Sequence, residues 1–570
     1  MTNKVLSKLK EYLNIYKIDG YIVPKNDAYF SEYSSPDRLK IISNFTGSAG
    51  YAIILKKKNY LFVDGRYTIQ AKIESGNKFK IIEIPNSSPK NLMPKNKKKL
   101  TLGFDPQLFT NLIIKKNFGN HFKLLSISEN LIDKSLYTDN KNLIIPFYNL
   151  NKRITGETVD SKVNKLIRYI TSCKIDNIFI SAPENVAWLL NLRGHDNPHS
   201  PIPNCKLVLT KKKKIFFFSC PKKLGNIKKI NEYKKLKFSK YQDFTDIIKN
   251  LNGKNFCIDQ LTCSISNEKI IQSFFKIKSH IDPCYHLKSK KNKIEIKNMV
   301  NTHICDGVAL TKFIYWIKKI NKKKITEFEA QNKLETFRKK NKNYLYSSFN
   351  TIAGSGSNAA IVHYRATKKN TKKIDKNDIF LCDSGGQYRY GTTDVTRTLC
   401  FSKPKKNIKD VFTKVLKGHI AVACTKINFN KTGKSIDFRA RKYLKKANLD
   451  YAHGTGHGVG FFLNVHEGPQ SISKYNKVKL TEGMILSNEP GYYKKGKFGI
   501  RIENLIYVKK SNHNLFFENL TLAPIDHDLI DFKQLTVSEK NYLFRYNLQV
   551  YTKLAPFLNK NEKKWLACFI

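Results

Sequence analysis

The chain has no closely paired cysteines and no long apolar run, and each absence excludes a class of protein. Its 11 cysteines are scattered singly, without a C-x-x-C pair, which favours reduced thiols in a cytosol over a disulfide framework. No run reaches the roughly 18 apolar residues that a membrane-spanning helix needs. The opening residues, MTNKVLSKLKEYLNIYKIDGYIV, lack the apolar centre of a signal peptide. We therefore predict a cytoplasmic protein with no membrane partner.

Acidic residues are scarce beside basic ones. The chain has 45 Asp and Glu against 103 Lys and Arg, a formal net charge of +58 at pH 7. Such a charge suggests an anionic partner such as nucleic acid. However, only 13 basic residues are arginine, lysines occur in every segment, and no zinc-finger or RNP motif is found. We attribute the excess to a genome-wide bias towards lysine codons, and expect nonspecific polyanion binding at low salt but no specific nucleic-acid partner.

Two segments of this 570-residue chain resemble each other. Residues 8–23 (KLKEYLNIYKIDGYIV) and 165–180 (KLIRYITSCKIDNIFI) share six residues at one offset. Each pattern predicts an amphipathic helix that leads through Lys-Ile-Asp into a β-strand. We predict a duplicated α/β domain, with domain I at 1–146 and domain II at 147–285.

Residues 286–570 are predicted to be an α+β domain with a C-terminal extension. Thr326 and Glu329 have the spacing of a capping box, a second helix is predicted at 434–449, and Trp565 lies in a short terminal helix that packs back on the body. The runs typical of strands are AAIVHYRA, DIFLCDSGG, TDVTRTLCF, GMILSNEP and GIRIENLIYV.

Four acidic residues stand at the ends of two predicted hairpins. Asp383 and Asp394 flank a glycine- and threonine-rich segment with a predicted turn near Arg389, and Glu489 and Glu503 flank EPGYYKKGKFGIRIE. A lone Asp in a turn more often caps the backbone than binds a metal. These acids, however, lie within or beside apolar strands, where a carboxylate without a partner is costly. Four carboxylates in one cleft stay ionised only beside cations, which two divalent metals with one histidine ligand would supply.

The segment AHGTGHGVGFFLNVHEGP contains three histidines, His453, His457 and His466. The first two are four residues apart, the spacing of a helical metal-binding pair, but the interleaved glycines exclude a helix and the Glu of an HExxH motif is missing. We expect the glycines to let the backbone run close to a substrate, and the histidines to form the wall of a cleft.

These motifs resemble a known family. DSGGQYRYGTTDVTRT, HGTGHGVG, NEPGYY and GIRIEN, with NFTGSAG, VDGRY and WLLNLRG upstream, are similar to the pita-bread metallopeptidases and specifically to the long, three-domain aminopeptidase P (Xaa-Pro aminopeptidase). The resemblance covers nearly the whole chain. It implies a C-terminal pita-bread catalytic domain preceded by two related creatinase N-terminal-type α/β domains.

The resemblance also implies five metal ligands. Asp394 and Glu503 would bridge two metals, Asp383 would hold one of them, and His457 and Glu489 would complete the other. Oxygen-rich ligands without a thiolate suit Mn²⁺. A hydroxide shared by the metals would attack the carbonyl before the proline of a peptide that begins Xaa-Pro.

Further residues match positions that act on the peptide in this family. His363, His453 and His466 would bind the substrate, stabilise the oxyanion and move a proton, which makes them both substrate-binding and catalytic. Arg501 would support the acidic site and the substrate. Taken alone, His363 on an apolar run is more often a core residue, and Arg501 a plain ion-pair partner.

The sequence therefore predicts a cytoplasmic, homodimeric Xaa-Pro aminopeptidase with two Mn²⁺ ions. A prolidase restricted to Xaa-Pro dipeptides would use the same ligands and differ in the length of its substrate. A non-catalytic pita-bread protein that binds nucleic acid or another partner through its charge is the alternative from another class. Such proteins generally lose ligands, whereas all five are present here.

Overall fold

The computed structural model describes residues 2–33, 35–92, 99–136, 144–320, 325–427, 431–512 and 514–570. The chain divides into two compact units. The first comprises residues 1–152 and 157–285, and the second comprises residues 153–156 and 286–570.

The first unit begins with a mixed six-stranded sheet in the order β4-β3-β2-β1-β5-β6. Its central strand β1 pairs antiparallel with β2 and parallel with β5. Helix α1 packs through Val5, Leu6, Leu9 and Leu13, whose spacing places them on one face. The elements are α1 (Thr2–Ile15), β1 (Gly20–Pro24), α2 (Arg38–Ser43), β2 (Tyr51–Leu55), β3 (Asn59–Asp64), α3 (Thr68–Ser75), β4 (Lys80–Ile84), β5 (Thr101–Phe104), α4 (Asn111–Asn117), β6 (Lys123–Ser126) and α5 (Leu131–Ser135).

A second sheet repeats this topology in the order β12-β11-β10-β8-β13-β14. Its central strand β8 again pairs antiparallel with one neighbour and parallel with the other. The elements are β7 (Tyr148–Asn149), α6 (Lys152–Thr155), α7 (Val159–Ser172), β8 (Asn177–Ile180), α8 (Pro183–Leu189), β9 (Leu192–Arg193), β10 (Cys205–Thr210), β11 (Ile215–Ser219), β12 (Leu236–Ser239), α9 (Phe244–Lys249), β13 (Asn255–Ile258), α10 (Ile265–Gln272), β14 (Lys276–Ser279) and α11 (Pro283–Ser289). The predicted duplication is confirmed at the level of topology, and the boundaries at 146 and 285 stay predictions.

The repeated Lys-Ile-Asp has a structural role in both copies. Lys17 and Lys174 adopt left-handed φ values of 50° and 53°, which turn the chain from the helix into the strand. Asp19 accepts a hydrogen bond from the Thr101 N–H (2.7 Å), and Asp176 accepts one from the Asn255 N–H (3.0 Å). Each aspartate therefore holds the start of the parallel neighbouring strand.

The second unit mixes helices and antiparallel strands, as expected for an α+β domain. Its sheets have the orders β15-β18-β19, β16-β17-β20, β22-β21-β23-β26-β27 and β24-β25. The helices are α12 (Lys293–Lys319), α13 (Glu327–Lys339), α14 (Lys406–Ala423), α15 (Gly433–Lys445), α16 (Val537–Leu554) and α17 (Lys560–Ala567). The strands are β15 (Tyr344–Ser347), β16 (Ile352–Ser355), β17 (Phe380–Ser384), β18 (Gly386–Tyr388), β19 (Gly391–Thr392), β20 (Val395–Leu399), β21 (Gly456–Gly458), β22 (Glu467–Ile472), β23 (Ile485–Asn488), β24 (Gly491–Lys494), β25 (Phe498–Arg501), β26 (Asn504–Ser511) and β27 (Asn514–Asn519).

One of the five predicted strands is wrong. AAIVHYRA forms a loop rather than a strand, because β16 ends at Ser355 and the chain then turns twice, with Ile361 N–H bonded to Asn358 and Tyr364 N–H bonded to Ile361. Buried Glu327 holds this loop by accepting hydrogen bonds from the Ser355 N–H (2.7 Å) and the Tyr364 hydroxyl (2.8 Å). The apolar residues of the run therefore pack from a loop.

The predicted helices of the second unit are present. Thr326 and Glu329 form the capping box of α13. The helix predicted at 434–449 is α15, which ends at Lys445 because the chain reverses through Asn448 at φ 56°. Trp565 of α17 packs edge-on against Tyr315 of α12, with ring centroids 5.6 Å apart.

Two structural observations concern the disulfide framework and the membrane-spanning helix that the sequence argues against. All 11 cysteines are free. Among the helices that the structure describes, none is long and apolar enough to cross a membrane.

Candidate metal centre

Asp383 and Asp394 are brought together by two paired strands. Strand β17 carries Asp383 and pairs antiparallel with β20, which starts directly after Asp394, so that Asp383 faces Thr396. The intervening residues form the predicted turn, but as a separate ladder of β18 with β19. Gly385 allows this change of sheet, since a Cβ there would lie 2.0 Å from the Thr393 carbonyl oxygen.

Glu489 and Glu503 lie opposite each other at the junction of two strand pairs. Strand β23 ends at Asn488, which pairs with Asn504 of β26. The β24–β25 hairpin begins with Gly491 paired to Arg501. Each glutamate is therefore fixed between two ladders.

Thr396 and Arg397 connect the aspartate strands to the glutamates. The Glu503 N–H donates to the Thr396 carbonyl (3.2 Å), and the Thr396 hydroxyl donates to Glu503 Oε2 (2.8 Å). Buried Arg397 donates from one nitrogen to the carbonyl oxygens of Thr396 (2.8 Å) and Glu503 (2.6 Å). These bonds hold the backbone beside two of the four acids.

His457 on β21 completes the cluster. Its Nδ1 lies 2.9 Å from the Gly458 carbonyl oxygen, which fixes the ring and leaves Nε2 directed at the acids. Nε2 lies 3.4 Å from Asp394 Oδ2 and 3.5 Å from Glu489 Oε1. Donor atoms of Asp394, His457 and Glu503 all lie within 4.8 Å of one another, a separation that one metal ion could span after small side-chain shifts.

The cluster is largely buried, and its electrostatics are unfavourable without a cation. Burial, with Asp394 and Glu489 nearby, raises the pKa of Asp383 to about 7, although Arg501 opposes the shift. Burial and the charge of Asp394 also raise the pKa of Glu489, although His457 and Arg501 oppose the shift. Burial and the charges of Asp394, Glu489 and Asp383 raise the pKa of Glu503. Burial opposes protonation of His457, but the hydrogen bond to Asp394 and the charge of Glu489 outweigh it and raise its pKa to about 9. The negative charge of the cluster therefore needs a counter-charge, which either protons or divalent cations can supply.

Arg501 contacts the cluster rather than open solvent. It is 2% exposed, and Nη2 lies 2.5 Å from Asp383 Oδ2. Its Nη1 donates to the Tyr493 hydroxyl (2.6 Å) and its Nε to the Thr396 hydroxyl (3.0 Å). The geometry fits the predicted support of the acidic site, and a direct contact with substrate stays a prediction.

His453 is held at the edge of this network. Its Nε2 lies 2.9 Å from the Tyr493 hydroxyl, so Tyr493 joins it to Arg501. Behind it, Arg441 of α15 donates to the His453 carbonyl (2.7 Å) and pairs with Asp437 (2.8 Å). Helix α15 thus fixes the backbone that presents this histidine.

The other two predicted histidines lie on neighbouring segments. The exposed ring of His466 meets His457 edge-on, with centroids 4.4 Å apart. His363 is half-buried in the loop after β16, beside Tyr364, which shares an apolar cluster with Tyr493. The structure therefore links His466 to the centre by direct contact and His363 through the packing of its loop.

The glycines on either side of His457 have a clear structural role. A Cβ at Gly456 would lie 1.9 Å from the Ser487 carbonyl oxygen, and one at Gly458 would lie 2.3 Å from that of Glu467. These glycines allow β21 to lie against its neighbouring strands. Strand packing therefore accounts for glycine at both positions, and the approach of this segment to a substrate stays a prediction.

Another acidic group already has a cation. Donor atoms of Cys400, Asp526 and Asp528 lie within 4.8 Å of one another. The Lys318 ammonium lies 2.7 Å from Asp526 and 3.0 Å from Asp528. We interpret this group as an ion-pair cluster rather than a metal site.

Sequence reasoning missed several residues that build the centre. Thr396 and Arg397 lie within DVTRT, and Tyr493 within NEPGYY, two segments in which the sequence pattern indicates a role only for the acids. The alternation of β20 could have indicated Thr396, since it places Asp394 and Thr396 on the same face. Asp437 and Arg441 had only their helical spacing as a signal.

Family models cover most of the chain. The metallopeptidase family M24 matches residues 297–510, and the C-terminal region of that peptidase family matches 514–568. The creatinase/prolidase N-terminal domain matches twice, at 6–134 and 143–295.

Full-length relatives share this organisation. The chain is 35% identical to Xaa-Pro aminopeptidase 1 of Dictyostelium discoideum, covering 99% of this chain and 95% of that one, and 35% identical to the "Probable Xaa-Pro aminopeptidase P" of Paracoccidioides brasiliensis, covering 99% and 98%. The X-prolyl aminopeptidase of Caenorhabditis elegans, described as cytosolic with a di-nuclear active site, superposes with a TM-score of 0.92 at 30% identity over 100% and 99% of the chains. The prolidase of Pyrococcus furiosus gives 0.51 at 25% identity over 62% and 98%. The chain therefore belongs to the Xaa-Pro aminopeptidase family of M24 metallopeptidases.

Proposed function

We propose that this chain is a metal-dependent aminopeptidase that releases the first residue from peptides beginning Xaa-Pro. The observation that carries the proposal is the cluster of three buried acids, Asp383, Asp394 and Glu503, with the half-buried His457 and Glu489. Full-length relatives with Xaa-Pro aminopeptidase names support the substrate class.

The residues of the cluster fit divalent cations. Asp383 Oδ1 is buried and has no hydrogen-bond partner, so a buried carboxylate oxygen is left without a donor. Such an atom is costly unless a cation or a proton meets it. The donors are four carboxylates and one imidazole without a thiolate, a set that suits hard cations and favours Mn²⁺.

We propose that Asp394 and Glu503 would each contact both of two metal ions. Asp383 would hold only the first ion, and His457 and Glu489 would hold the second. The contacts of His457 Nε2 with Asp394 and Glu489 support this grouping. Bound there, a pair of divalent ions would supply activation of water and polarisation of the substrate carbonyl.

The surrounding residues would position the peptide. Arg501 holds Asp383 in place, and Tyr493 fixes Nε2 of His453. We assign His363, His453 and His466 to binding the peptide around the scissile bond and moving a proton to the proline nitrogen. The acidic cluster would attract the free α-amine, which makes the enzyme read N-termini.

Two further assignments belong to this proposal. A cytoplasmic location is supported by the C. elegans relative, which is described as cytosolic. We retain the homodimer and the boundaries 1–146, 147–285 and 286–570 as proposals.

The alternatives are a prolidase and a non-catalytic binding protein. The solved prolidase from Pyrococcus covers 62% of this chain, whereas the Xaa-Pro aminopeptidase relatives cover 99%. A complete ligand set disfavours a binding protein.

The test is a peptide assay with purified full-length protein. Xaa-Pro-Yaa peptides and Xaa-Pro dipeptides are incubated with Mn²⁺ or with a chelator, and products are separated by mass. We expect metal-dependent loss of the first residue from the longer peptides. Cleavage of dipeptides alone would establish a prolidase instead, and no cleavage with any divalent metal would exclude both enzymes.

A further inference from the structure

We propose that a basic rim beside the metal centre selects peptides that carry acidic side chains after the proline. The rim consists of two segments, Tyr364–Lys373 and the β24–β25 turn. This inference rests on the proposed aminopeptidase function and adds a class of substrate to it.

The turn lies next to a residue of the site. Tyr493, which contacts both His453 and Arg501, is followed at once by Lys494, Lys495 and Lys497. The Lys497 N–H donates to the Lys494 carbonyl (2.9 Å), and Gly496 between them has a φ of 70°. All three lysines are exposed. At about 3.3 Å per residue, they follow Tyr493 within roughly 3–13 Å of chain.

The second segment packs against the same tyrosine. Tyr364 and Ala366 belong to the apolar cluster that Tyr493 covers. Arg365, next to the proposed substrate-binding His363, is exposed, and Lys368 and Lys369 follow it at the surface. Both basic segments therefore adjoin Tyr493.

Two acids touch one segment of this rim, since Glu327 accepts hydrogen bonds from the Tyr364 hydroxyl and the Lys372 N–H, and Asp378 lies near Lys372. Six other basic side chains, however, have no acidic partner among the residues that the structure describes. Neither 356–374 nor 490–500 contains an acidic residue. Within the described ranges, none of Arg365, Lys368, Lys369, Lys494, Lys495 and Lys497 forms an ion pair, whereas other lysines of this unit, such as Lys318 and Lys417, do so. A bias towards lysine explains how many lysines the chain has, but not why these six, on segments that adjoin Tyr493, lack acidic partners.

A substrate would pass this rim on its way out. With its α-amine at the acidic cluster and proline second, its third and later residues must extend towards solvent. Acidic side chains there would meet six uncompensated cations, and basic ones would be repelled.

The experiment compares three peptides that differ only at positions four and five. They are Ala-Pro-Ala-Asp-Asp-Ala, Ala-Pro-Ala-Ser-Ser-Ala and Ala-Pro-Ala-Lys-Lys-Ala. At about 20 mM salt we expect kcat/KM to be about ten-fold higher for Asp-Asp than for Lys-Lys, and the ratio to approach one at roughly 0.5 M salt, where charges are screened. The ratio is taken within one preparation, which cancels any loss of folded enzyme.

Variants separate the rim from the general charge of the chain. Lys494→Gln/Lys495→Gln/Lys497→Gln should reduce the ratio about three-fold or more. The control Lys553→Gln/Lys560→Gln/Lys564→Gln removes the same charge from exposed positions on the C-terminal helices and should leave the ratio unchanged.

A binding measurement keeps this inference separate from the proposed function. Dye-labelled analogues of the three peptides, with a methylene in place of the first carbonyl, cannot be cleaved, and their affinities are measured by anisotropy. The inference is supported if the Asp-Asp analogue binds more tightly than the Lys-Lys analogue and only the turn variant weakens this preference. If that result is obtained and no peptide is hydrolysed, the proposed function is wrong but the inference about the rim stands. Equal binding and equal kcat/KM for the three sequences, or equal losses in both variants, would overturn the inference.

Discussion

At the scale of residues, the Tyr493 hydroxyl joins the proposed peptide-binding side of the centre to its acidic side. It lies 2.9 Å from His453 Nε2 and accepts a hydrogen bond from Arg501 (2.6 Å), which in turn pairs with Asp383. Burial raises the pKa of Tyr493 to about 12, so the hydroxyl keeps its proton at neutral pH. It can therefore donate to His453 while it accepts from Arg501.

We predict that Tyr493→Phe impairs catalysis without removing metal. A hydrogen bond to a charged group is worth about 1.5–3 kcal/mol, so kcat/KM should fall by roughly 10–100-fold. Tyr492→Phe is the matched control, because Tyr492 is the half-buried neighbour on the same strand and packs near Phe498. Steady-state kinetics and metal content are measured for both variants. Equal activity in the two would show that the Tyr493 hydroxyl has no such role.

At the scale of elements, a buried ion-pair triad ties the start of the second unit to β22, the strand that follows His466. Glu467 on β22 pairs with the ammonium groups of Lys288 (3.0 Å) and Lys291. All three side chains are at most 2% exposed. The partners lie 179 and 176 residues apart, so no local pattern could have predicted the triad.

We predict that Glu467→Gln destabilises the second unit by about 3–5 kcal/mol, because it leaves two buried lysines without their counter-ion. Glu518→Gln is the control, since its pair with Lys509 is exposed and worth at most about 1 kcal/mol. Urea unfolding is followed by tryptophan fluorescence, to which Trp316 and Trp565 of this unit contribute. Similar midpoints for the two variants would contradict the prediction.

The stability that the ion pairs of Glu467 contribute depends on pH. Burial works against the ionised form of Glu467, but Lys288 and Lys291 outweigh it and hold its pKa below the usual value. Its contribution is therefore complete above the unfolded-state pKa of about 4.3 and is lost as the pH falls further. The difference between wild type and Glu467→Gln should shrink in that acidic range.

At the scale of the whole molecule, the sequence predicts most of the architecture but not the contacts that complete the centre. The Lys-Ile-Asp repeat predicts two copies of one α/β topology because each copy must turn from a helix into a central strand. The strands at Asp383, Asp394 and Glu503 follow from apolar runs and turns. The apolar run at residues 359–366 predicts a strand but forms a loop, because Glu327, a carboxylate distant in sequence, holds it through hydrogen bonds from the Ser355 N–H and the Tyr364 hydroxyl.

The most direct measurement is the metal content of the purified protein together with its aminopeptidase activity. We expect about two divalent ions per chain. Asp394→Asn should lose metal and activity together while far-UV circular dichroism stays unchanged. Asp528→Asn is the control, because Asp528 lies in the acidic group that Lys318 already neutralises, and it should keep both. Wild-type protein that cleaves Xaa-Pro-Yaa peptides without bound metal, or Asp394→Asn with full metal content and turnover, would contradict the account.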